Sequence, residues 1–190
     1  KTLAPVITVN GNVVTISGQG NIYYTTDGTE PSNSSMSYNG PIVLPDGNGV
    51  VTIKAIAQEA GKQVSCVEVQ QVSLALFISS LNDLNRIHAD DICKVTADFD
   101  ASGYEGSISI FSGEFDGGLY TISGLSHPLF DMIDGGTVKH VILKDVSISG
   151  DSDGDAGAIC YKAQGTSTIY NCGILPTATT RDPDGNISGR

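Results

Sequence analysis

Short runs of β-branched residues separated by turn-forming dipeptides dominate the first part of this sequence. Two such runs, 6–9 and 13–16, flank Asn10-Gly11. Asn-Gly between β-branched runs favours a two-residue hairpin, because a type I′ turn needs a positive φ at both central residues. Further runs at 22–26, 42–44, 50–57 and 64–72 alternate with Asp27-Gly28 and Asp46-Gly47. Six or seven short strands in about 70 residues predict a small β-sandwich.

The balance of charge excludes several classes of partner. The chain has 21 Asp and Glu residues against 10 Lys and Arg, a formal net charge of −11. Nucleic acids and anionic membrane surfaces need a basic footprint, which this sequence lacks. No apolar run reaches the roughly 20 residues of a membrane span, so we expect no insertion in this segment. Hydrophobic residues make up 39% and charged residues 16%, which is typical of a folded domain.

A change of pattern near Ser73–Leu76 divides the sequence. Residues 1–74 carry five carboxylates and three basic residues, net −2, whereas residues 75–190 carry sixteen and seven, net −9. We therefore predict two domains, residues 1–74 and residues 75–190.

The first domain resembles a known family. The segments that carry the resemblance include a Y-T-x-D-G-x-x-P signature and are Ile22–Pro31, Tyr38–Ile42 and Val51–Ala57. They are similar to the chitobiase/β-hexosaminidase C-terminal-type domain. The resemblance implies a fibronectin-like or immunoglobulin-like sandwich that accompanies catalytic or adhesive modules and has no catalytic residues of its own.

The second domain begins with a helical pattern and continues with loosely repeated β segments. Apolar residues at near-helical spacing behind Ser79 and Ser80 predict a short helix at about 80–89 that caps the array. Gly-rich turns and alternating apolar residues follow, and Leu125 and Leu143 are 18 residues apart. That spacing predicts coils of a short parallel β-helix over about 92–178. The longer later spacing predicts a loop insertion near Asp151–Asp155.

This part also resembles a known class. The matching segments are Leu81–Leu84, Val95–Asp100, Phe111–Gly117, Tyr120–Leu125, Pro128–Phe130 and Thr168–Cys172. They are similar to GLUG-motif right-handed β-helices of bacterial surface and secreted proteins, although the G-L-U-G repeats themselves are missing. The predicted fold is therefore all-β: a small fibronectin/immunoglobulin-like β-sandwich, then a short right-handed parallel β-helix with a capping helix.

Four cysteines, Cys66, Cys93, Cys160 and Cys172, lack the spacing of a zinc site. Each stands in an apolar or β-branched context, so we favour buried free thiols. Two disulfides in any of three pairings are the alternative.

Two candidate binding sites stand out. Asp151, Asp153 and Asp155 present carboxylates at alternate positions, as calcium loops do. Calcium is therefore the one cofactor that the sequence suggests. Ala156 and Lys162 depart from the EF-hand template, and a solvated surface loop is the favoured interpretation. Tyr104, in a polar loop, is the tyrosine we expect to be exposed for ligand contact.

Catalytic carboxylate pairs could come from Glu114 with Asp116, or from Asp131 with Asp134. Asp-Gly turns explain Asp116 and Asp134 equally well, and no nucleophile elbow, phosphate loop or paired-histidine motif is present. We therefore expect a non-enzyme without catalytic residues.

The favoured function is a module of a bacterial secreted or cell-surface protein that contacts a polysaccharide or a host or cell-surface glycan in adhesion. The alternatives are part of a carbohydrate-active enzyme, either a glycosidase or a polysaccharide lyase, and a structural spacer. The expected location is extracellular or on the bacterial surface. Since the sequence starts at Lys1, we expect any signal segment to have been removed.

Overall fold

A computed structural model describes residues 1–106, 108–149 and 157–175, together with the backbone of 180–181 and 187–188. The protein is nearly all β, which confirms the predicted class, and one four-residue helix is present in these ranges. Contacts divide the chain into two units, Lys1–Ala75 and Leu76–Arg190. The division falls one residue after the boundary expected from sequence.

Unit 1 consists of two antiparallel sheets. Their strand orders are β1-β2-β5 and β4-β3-β6-β7. The strands are β1 (Val6–Asn10), β2 (Val13–Ser17), β3 (Asn21–Thr25), β4 (Met36–Ser37), β5 (Ile42–Val43), β6 (Val50–Gln58) and β7 (Glu68–Ser73). The β1–β2 hairpin is confirmed, but its two-residue turn is Gly11-Asn12 rather than Asn10-Gly11, because Asn10 pairs with Val13. Of the two turn residues only Gly11 has a positive φ, 56°, so the turn is not the expected type I′ turn.

Alternation along these strands builds the core of unit 1. The buried side chains include Val14, Ile16, Ile53, Ala55 and Val72. The prediction of a strand over 64–72 was wrong at its start, because β7 begins at Glu68. At Ser65 the backbone amide donates to the Ala57 carbonyl at 3.0 Å, but the Ala57 amide donates to the Ser65 hydroxyl at 2.9 Å instead of to a backbone carbonyl.

Unit 2 consists mainly of parallel strands. They are β8 (Leu76–Ile78), β9 (Ile92–Val95), β10 (Phe99–Asp100), β11 (Ile110–Phe111), β12 (Glu114–Asp116), β13 (Thr121–Ser123), β14 (Phe130–Asp134), β15 (Thr137–Lys139), β16 (Ile142–Lys144), β17 (Cys160–Gln164), β18 (Thr168–Tyr170) and β19 (Gly173–Leu175). Farther along the chain, β20 (Thr180–Arg181) pairs antiparallel with β21 (Ile187–Ser188).

From β9 onward the chain visits three parallel sheets in rotation. Their orders are β8-β9-β12-β15-β18, β10-β13-β16-β19 and β11-β14-β17. Every circuit therefore lays one strand on each sheet beside the strand of the circuit before it. This arrangement stacks Cys93, Phe115 and Val138 in one buried row.

The predicted equivalence of Leu125 and Leu143 was wrong, because Leu143 pairs with Ile122. The corners between strands vary in length, so a fixed spacing of leucines does not follow the circuits. The connection from β16 to β17 runs over 145–159, whereas the preceding circuit uses only 124–129.

The predicted helix is shorter than expected. Helix α1 spans Leu81–Leu84, with Ser80 as its N-cap. After Asn85 the chain turns, and the carboxylate of Asp91 accepts a hydrogen bond from the His88 amide at 2.8 Å. That bond favours a turn where the sequence pattern predicts a continued helix.

All four cysteines are free thiols. Cys93 is buried as expected, and burial raises the pKa of its thiol strongly. Cys66 is exposed, which corrects the expectation of burial, and its Sγ lies 3.0 Å from the Lys1 ammonium.

Candidate functional site

Tyr104 does not lie on the surface, which corrects the expectation for this residue. Its side chain is fully buried in the core of unit 2, and its hydroxyl donates a hydrogen bond to the Leu129 carbonyl at 2.9 Å. The polar loop around Tyr104 hid this role in the sequence. A buried tyrosine whose hydroxyl is already bonded stabilises the core and offers no platform to a ligand.

The three aspartates of the expected calcium loop, Asp151, Asp153 and Asp155, lie outside the described residues. Within the described ranges, no group of three or more His, Cys, Asp or Glu side chains is arranged to hold a metal ion.

The described surface of unit 2 instead brings together a set of polar side chains that the sequence keeps far apart. This polar cluster consists of Glu114, Asp116, Lys139, His140 and Tyr170. Its members come from β12, β15 and β18, three neighbouring strands of one parallel sheet, and from the corner after β15. Side chains alternate across a strand, so residues on either side of a buried one share the outer face.

The register explains why the cluster forms. Phe115, Val138 and Ile169 align in the inward row, and Asp116, Lys139 and Tyr170 align in an outward row. Cross-strand neighbours in a row have Cβ atoms about 5 Å apart, which is within reach of an ion pair. The expectation that Glu114 and Asp116 share a face is confirmed, because buried Phe115 separates them.

Hydrogen bonds and ion pairs link the cluster. Lys139 Nζ donates to Glu114 Oε1 at 2.7 Å and lies 3.8 Å from Asp116 Oδ2. His140 Nδ1 lies 2.9 Å from Asp116 Oδ1. The ring of His140 meets the ring of Tyr170 edge to face, with centroids 5.7 Å apart. Each side chain is therefore oriented by a neighbour from another circuit.

The backbone at the corner aims His140 at Asp116. His140 has a φ of 53°, and Asn171, the aligned corner residue of the next circuit, has a φ of 52°. This left-handed conformation turns the chain between neighbouring sheets, and Asn adopts it more readily than most residues. Gly117 lies beneath the corner, since a Cβ there would stand 2.4 Å from the His140 carbonyl oxygen.

Local electrostatics favour the charged forms of Asp116 and Lys139. Partial burial opposes ionisation of Asp116, but the Gly118 amide, the His140 ring and the Lys139 charge outweigh it and lower the pKa of this carboxyl. A hydrogen bond and attraction from Glu114, with further attraction from Tyr170 and Asp116, outweigh partial burial and raise the pKa of Lys139. At neutral pH the site therefore presents the charged acceptor Asp116 and the charged donor Lys139 side by side.

The second carboxylate pair behaves differently. Asp131 and Asp134 are three residues apart on β14, and each directly follows a buried residue, Phe130 or Ile133. Asp131 is exposed, and Asp134 accepts a hydrogen bond from the Gln164 side chain at 3.0 Å. The structure gives this pair no shared site.

Sequence reasoning missed Lys139, His140 and Tyr170 as partners of the carboxylates. Asp116 and His140 are 24 residues apart and meet only because one circuit separates them. No fixed spacing could have found them, because the circuits differ in length: aligned Cys93 and Phe115 are 22 residues apart, whereas aligned Val138 and Ile169 are 31 residues apart.

No helix in the described residues has the length and apolar character needed to cross a membrane.

Comparisons with known proteins match the two units separately. Residues 14–72 match the Fn3-associated family model. Residues 85–174, just under half of the chain, match the model for the M26 IgA1-specific metallo-endopeptidase N-terminal region. A stretch of 59 residues is 42% identical to an immunoglobulin A1 protease of Streptococcus sanguinis. This stretch covers 31% of the present chain, and the chain spans only about 3% of the length of that relative.

These similarities indicate a module of a bacterial secreted or cell-surface protein. The resemblances to the chitobiase-type domain and to GLUG-type helices stay predictions.

Proposed function

We propose that this chain is a non-catalytic binding module of a bacterial secreted or cell-surface protein, and that the polar cluster is its contact surface for a glycan. The observation that carries the proposal is the half-exposed Tyr170 ring beside the ordered polar side chains of Asp116, Lys139 and His140. A sugar ring has an apolar face and a rim of hydroxyl groups. An aromatic ring suits the first, and charged donors and acceptors suit the second.

The architecture supports a binding surface of this kind. We infer that unit 1 is an immunoglobulin-like sandwich, as the chitobiase-type resemblance implies, because two antiparallel sheets share one apolar core. We infer likewise that unit 2 is a short right-handed β-helix of the GLUG type, because its strands rotate among three parallel sheets. A parallel sheet stacked in this way holds outward side chains at fixed spacings, which preorganises a contact surface.

The chemistry of the cluster favours binding over hydrolysis. A glycosidase needs a carboxylic acid that stays protonated, and such an acid has a raised pKa. The pKa of Asp116 is lowered, and Glu114 is paired with the Lys139 ammonium. Both carboxylates therefore act as acceptors for hydroxyl groups rather than as proton donors.

The test is a binding titration with bacterial, plant and mucin polysaccharides and with immunoglobulin A1, the last because of the name of the matched region. We expect saturable binding without turnover, and Tyr170→Ala should weaken it about tenfold, the effect of losing one stacking contact. Tyr120→Ala is the matched control, since Tyr120 is similarly exposed but lies outside the cluster. Binding that survives Tyr170→Ala and Asp116→Asn unchanged would contradict the proposed surface.

Two further outcomes separate the alternatives. New reducing ends or unsaturated products would identify a carbohydrate-active enzyme, and inertness in every assay would leave a structural spacer. Binding that is lost on chelation and in Asp153→Ala would move the contact to the Asp151–Asp155 loop and make calcium its cofactor.

A further inference from the structure

One row of outward side chains on the five-stranded parallel sheet runs past the polar cluster toward the start of unit 2. Each member pairs in register with the next, and the row consists of Lys94 on β9, Asp116 on β12, Lys139 on β15 and Tyr170 on β18. The residues directly before the first three, Cys93, Phe115 and Val138, are fully buried, so the row lies on the outer face. We call these four residues the outer row.

The spacing of the outer row is set by the sheet. Neighbouring strands lie about 4.8 Å apart, so three strand steps separate Lys94 from Tyr170 by roughly 14 Å. A sugar ring in an extended chain has a length close to one strand step. A linear glycan that crosses the strands therefore places about four consecutive rings over the four side chains.

A second outward row flanks the first and is also polar. Glu114, Thr137 and Thr168 are aligned on the same strands, two residues before Asp116, Lys139 and Tyr170. Threonine hydroxyls both donate and accept hydrogen bonds, as the hydroxyls of a sugar do. The face between β12 and β18 therefore offers polar groups along two parallel lines.

The charge pattern favours a neutral chain. Lys94 and Lys139 alternate with Asp116 along the outer row, and the formal charges of these lysines cancel those of Asp116 and Glu114. The chain as a whole carries a formal net charge of −11, which repels an acidic polysaccharide. Sugar hydroxyls can donate to the carboxylates and accept from the ammonium groups in turn.

Lys94 is the member of the outer row that the polar cluster leaves out. Its side chain is exposed, and within the described part of the chain it makes no ion pair. Lys139, by contrast, is held by Glu114 at 2.7 Å. The Lys94 ammonium is therefore available to a ligand that reaches three strand steps beyond Tyr170.

We propose that the outer row binds a neutral, linear glycan of about four or more rings that crosses the strands from Tyr170 to Lys94, and that Lys94 determines the preference for long chains. The proposal rests on the function proposed above, in which Tyr170 and the polar cluster contact a glycan. Lys94 adds a contact that only a chain of sufficient length can make.

The test is calorimetric titration of the 190-residue protein with sized oligomers of two to six rings. The probes are β-1,4-linked glucose, mannose and xylose oligomers, N-acetyllactosamine oligomers and, as the acidic chain, hyaluronan oligomers. In at least one neutral series we expect the affinity to rise about tenfold or more between two and four rings and then to level off. Hyaluronan should bind more weakly, above all at low salt, where repulsion is least screened.

A lysine variant tests the far end of the path. Lys94→Ala should weaken the binding of five- and six-ring oligomers about fivefold, the effect of losing one hydrogen bond from a charged donor at the surface, and leave the shortest measurable oligomers unchanged. Lys144→Ala is the matched control, because Lys144 is an exposed lysine on β16 of a neighbouring sheet and should change neither. Circular dichroism of both variants checks that the fold is retained.

The outcomes separate this proposal from the one on which it rests. Binding to no neutral series, an affinity that does not depend on length, long-chain binding that Lys94→Ala leaves unchanged, or tighter binding of hyaluronan would each overturn the extended path. Length-independent binding that is lost in Tyr170→Ala would leave the polar cluster as a glycan surface. Polysaccharide binding that survives Tyr170→Ala and Asp116→Asn would contradict both.

Discussion

The two units solve the same problem, burying one face of a set of short strands, with opposite pairing. In unit 1 the strands pair antiparallel, and the β1–β2 hairpin closes over a two-residue turn. In unit 2 every neighbour in a parallel sheet comes from another circuit of the chain, so Glu114, for example, pairs with Ile92 and Thr137. Parallel pairing places residues that are distant in sequence next to each other on one sheet. The polar cluster therefore forms in unit 2.

Carboxylates show the contrast on a small scale. In unit 1 the carboxylate of Asp27 accepts hydrogen bonds from the amide and hydroxyl of Thr29, two residues away. In unit 2 the carboxylate of Asp116 is bonded to His140, 24 residues away. The first contact defines a turn, whereas the second depends on the register of the whole sheet.

The largest expected effect tests the stacked core of unit 2. Phe115 is fully buried and meets Phe130 edge to face, with ring centroids 5.6 Å apart. Phe115→Ala should lower the free energy of unfolding of unit 2 by about 3–5 kcal/mol, because it removes buried apolar surface and leaves a cavity. Urea denaturation measures the loss, and hydrogen exchange assigns it to a unit.

Ile110→Ala is the control for this prediction, since Ile110 is exposed on β11 and the change should cost less than about 0.5 kcal/mol. A loss in Phe115→Ala that is no larger than in the control would show that the circuits do not unfold as one stacked core.

A pair of glycine substitutions compares the corners of the two units. A Cβ on Gly113 would stand 2.1 Å from the Asp91 carbonyl oxygen of the adjacent circuit. Gly113→Ala should therefore cost about 1–3 kcal/mol, because a backbone atom must shift. Gly11→Ala in the hairpin meets open space, and its positive φ alone should cost about 1 kcal/mol.

Thermal unfolding monitored separately for each unit distinguishes the two variants. Equal losses of stability in Gly113→Ala and Gly11→Ala would indicate that the steric contact between Gly113 and the adjacent circuit adds nothing to the destabilisation.

The smallest expected effect is the dependence of stability on pH at the polar cluster. The pKa of Asp116 is lower when folded than its ordinary value of 3.8. Its contribution is therefore present above the unfolded pKa and is lost as pH falls through the folded pKa. At pH 7, Asp116→Asn should cost less than about 1 kcal/mol, because the pair is partly exposed.

Denaturation curves from pH 7 to pH 2 check this sign. The stability difference between wild type and Asp116→Asn should shrink toward the acid end, and the exposed Asp131→Asn should show a smaller difference at pH 7. A difference that grows on acidification would contradict the assignment.

Predictability follows the same division between the units. The β1–β2 hairpin was predicted because its information lies in adjacent residues, namely two β-branched runs and a glycine between them, although the turn falls one residue later, at Gly11-Asn12. Tyr104 was wrongly expected on the surface because its neighbours in sequence are polar. Its burial depends on residues distant in sequence, such as Leu129, whose carbonyl accepts the hydrogen bond of the Tyr104 hydroxyl. The carboxylates of the polar cluster were identified as a pair, but their partners Lys139 and His140 were not, since no local pattern states the circuit length.

The sequence by itself determined the all-β class and the alternation of strands and turns, because these follow from short β-branched runs separated by turn-forming residues. Only the tertiary structure decided the register of the parallel circuits. The reason is physical: corners of unequal length, such as 117–120 and 140–141, absorb different numbers of residues between equivalent strands. Packing of the buried row Cys93, Phe115 and Val138 aligns those strands, and it thereby brings Asp116, Lys139 and Tyr170 together on the outer face.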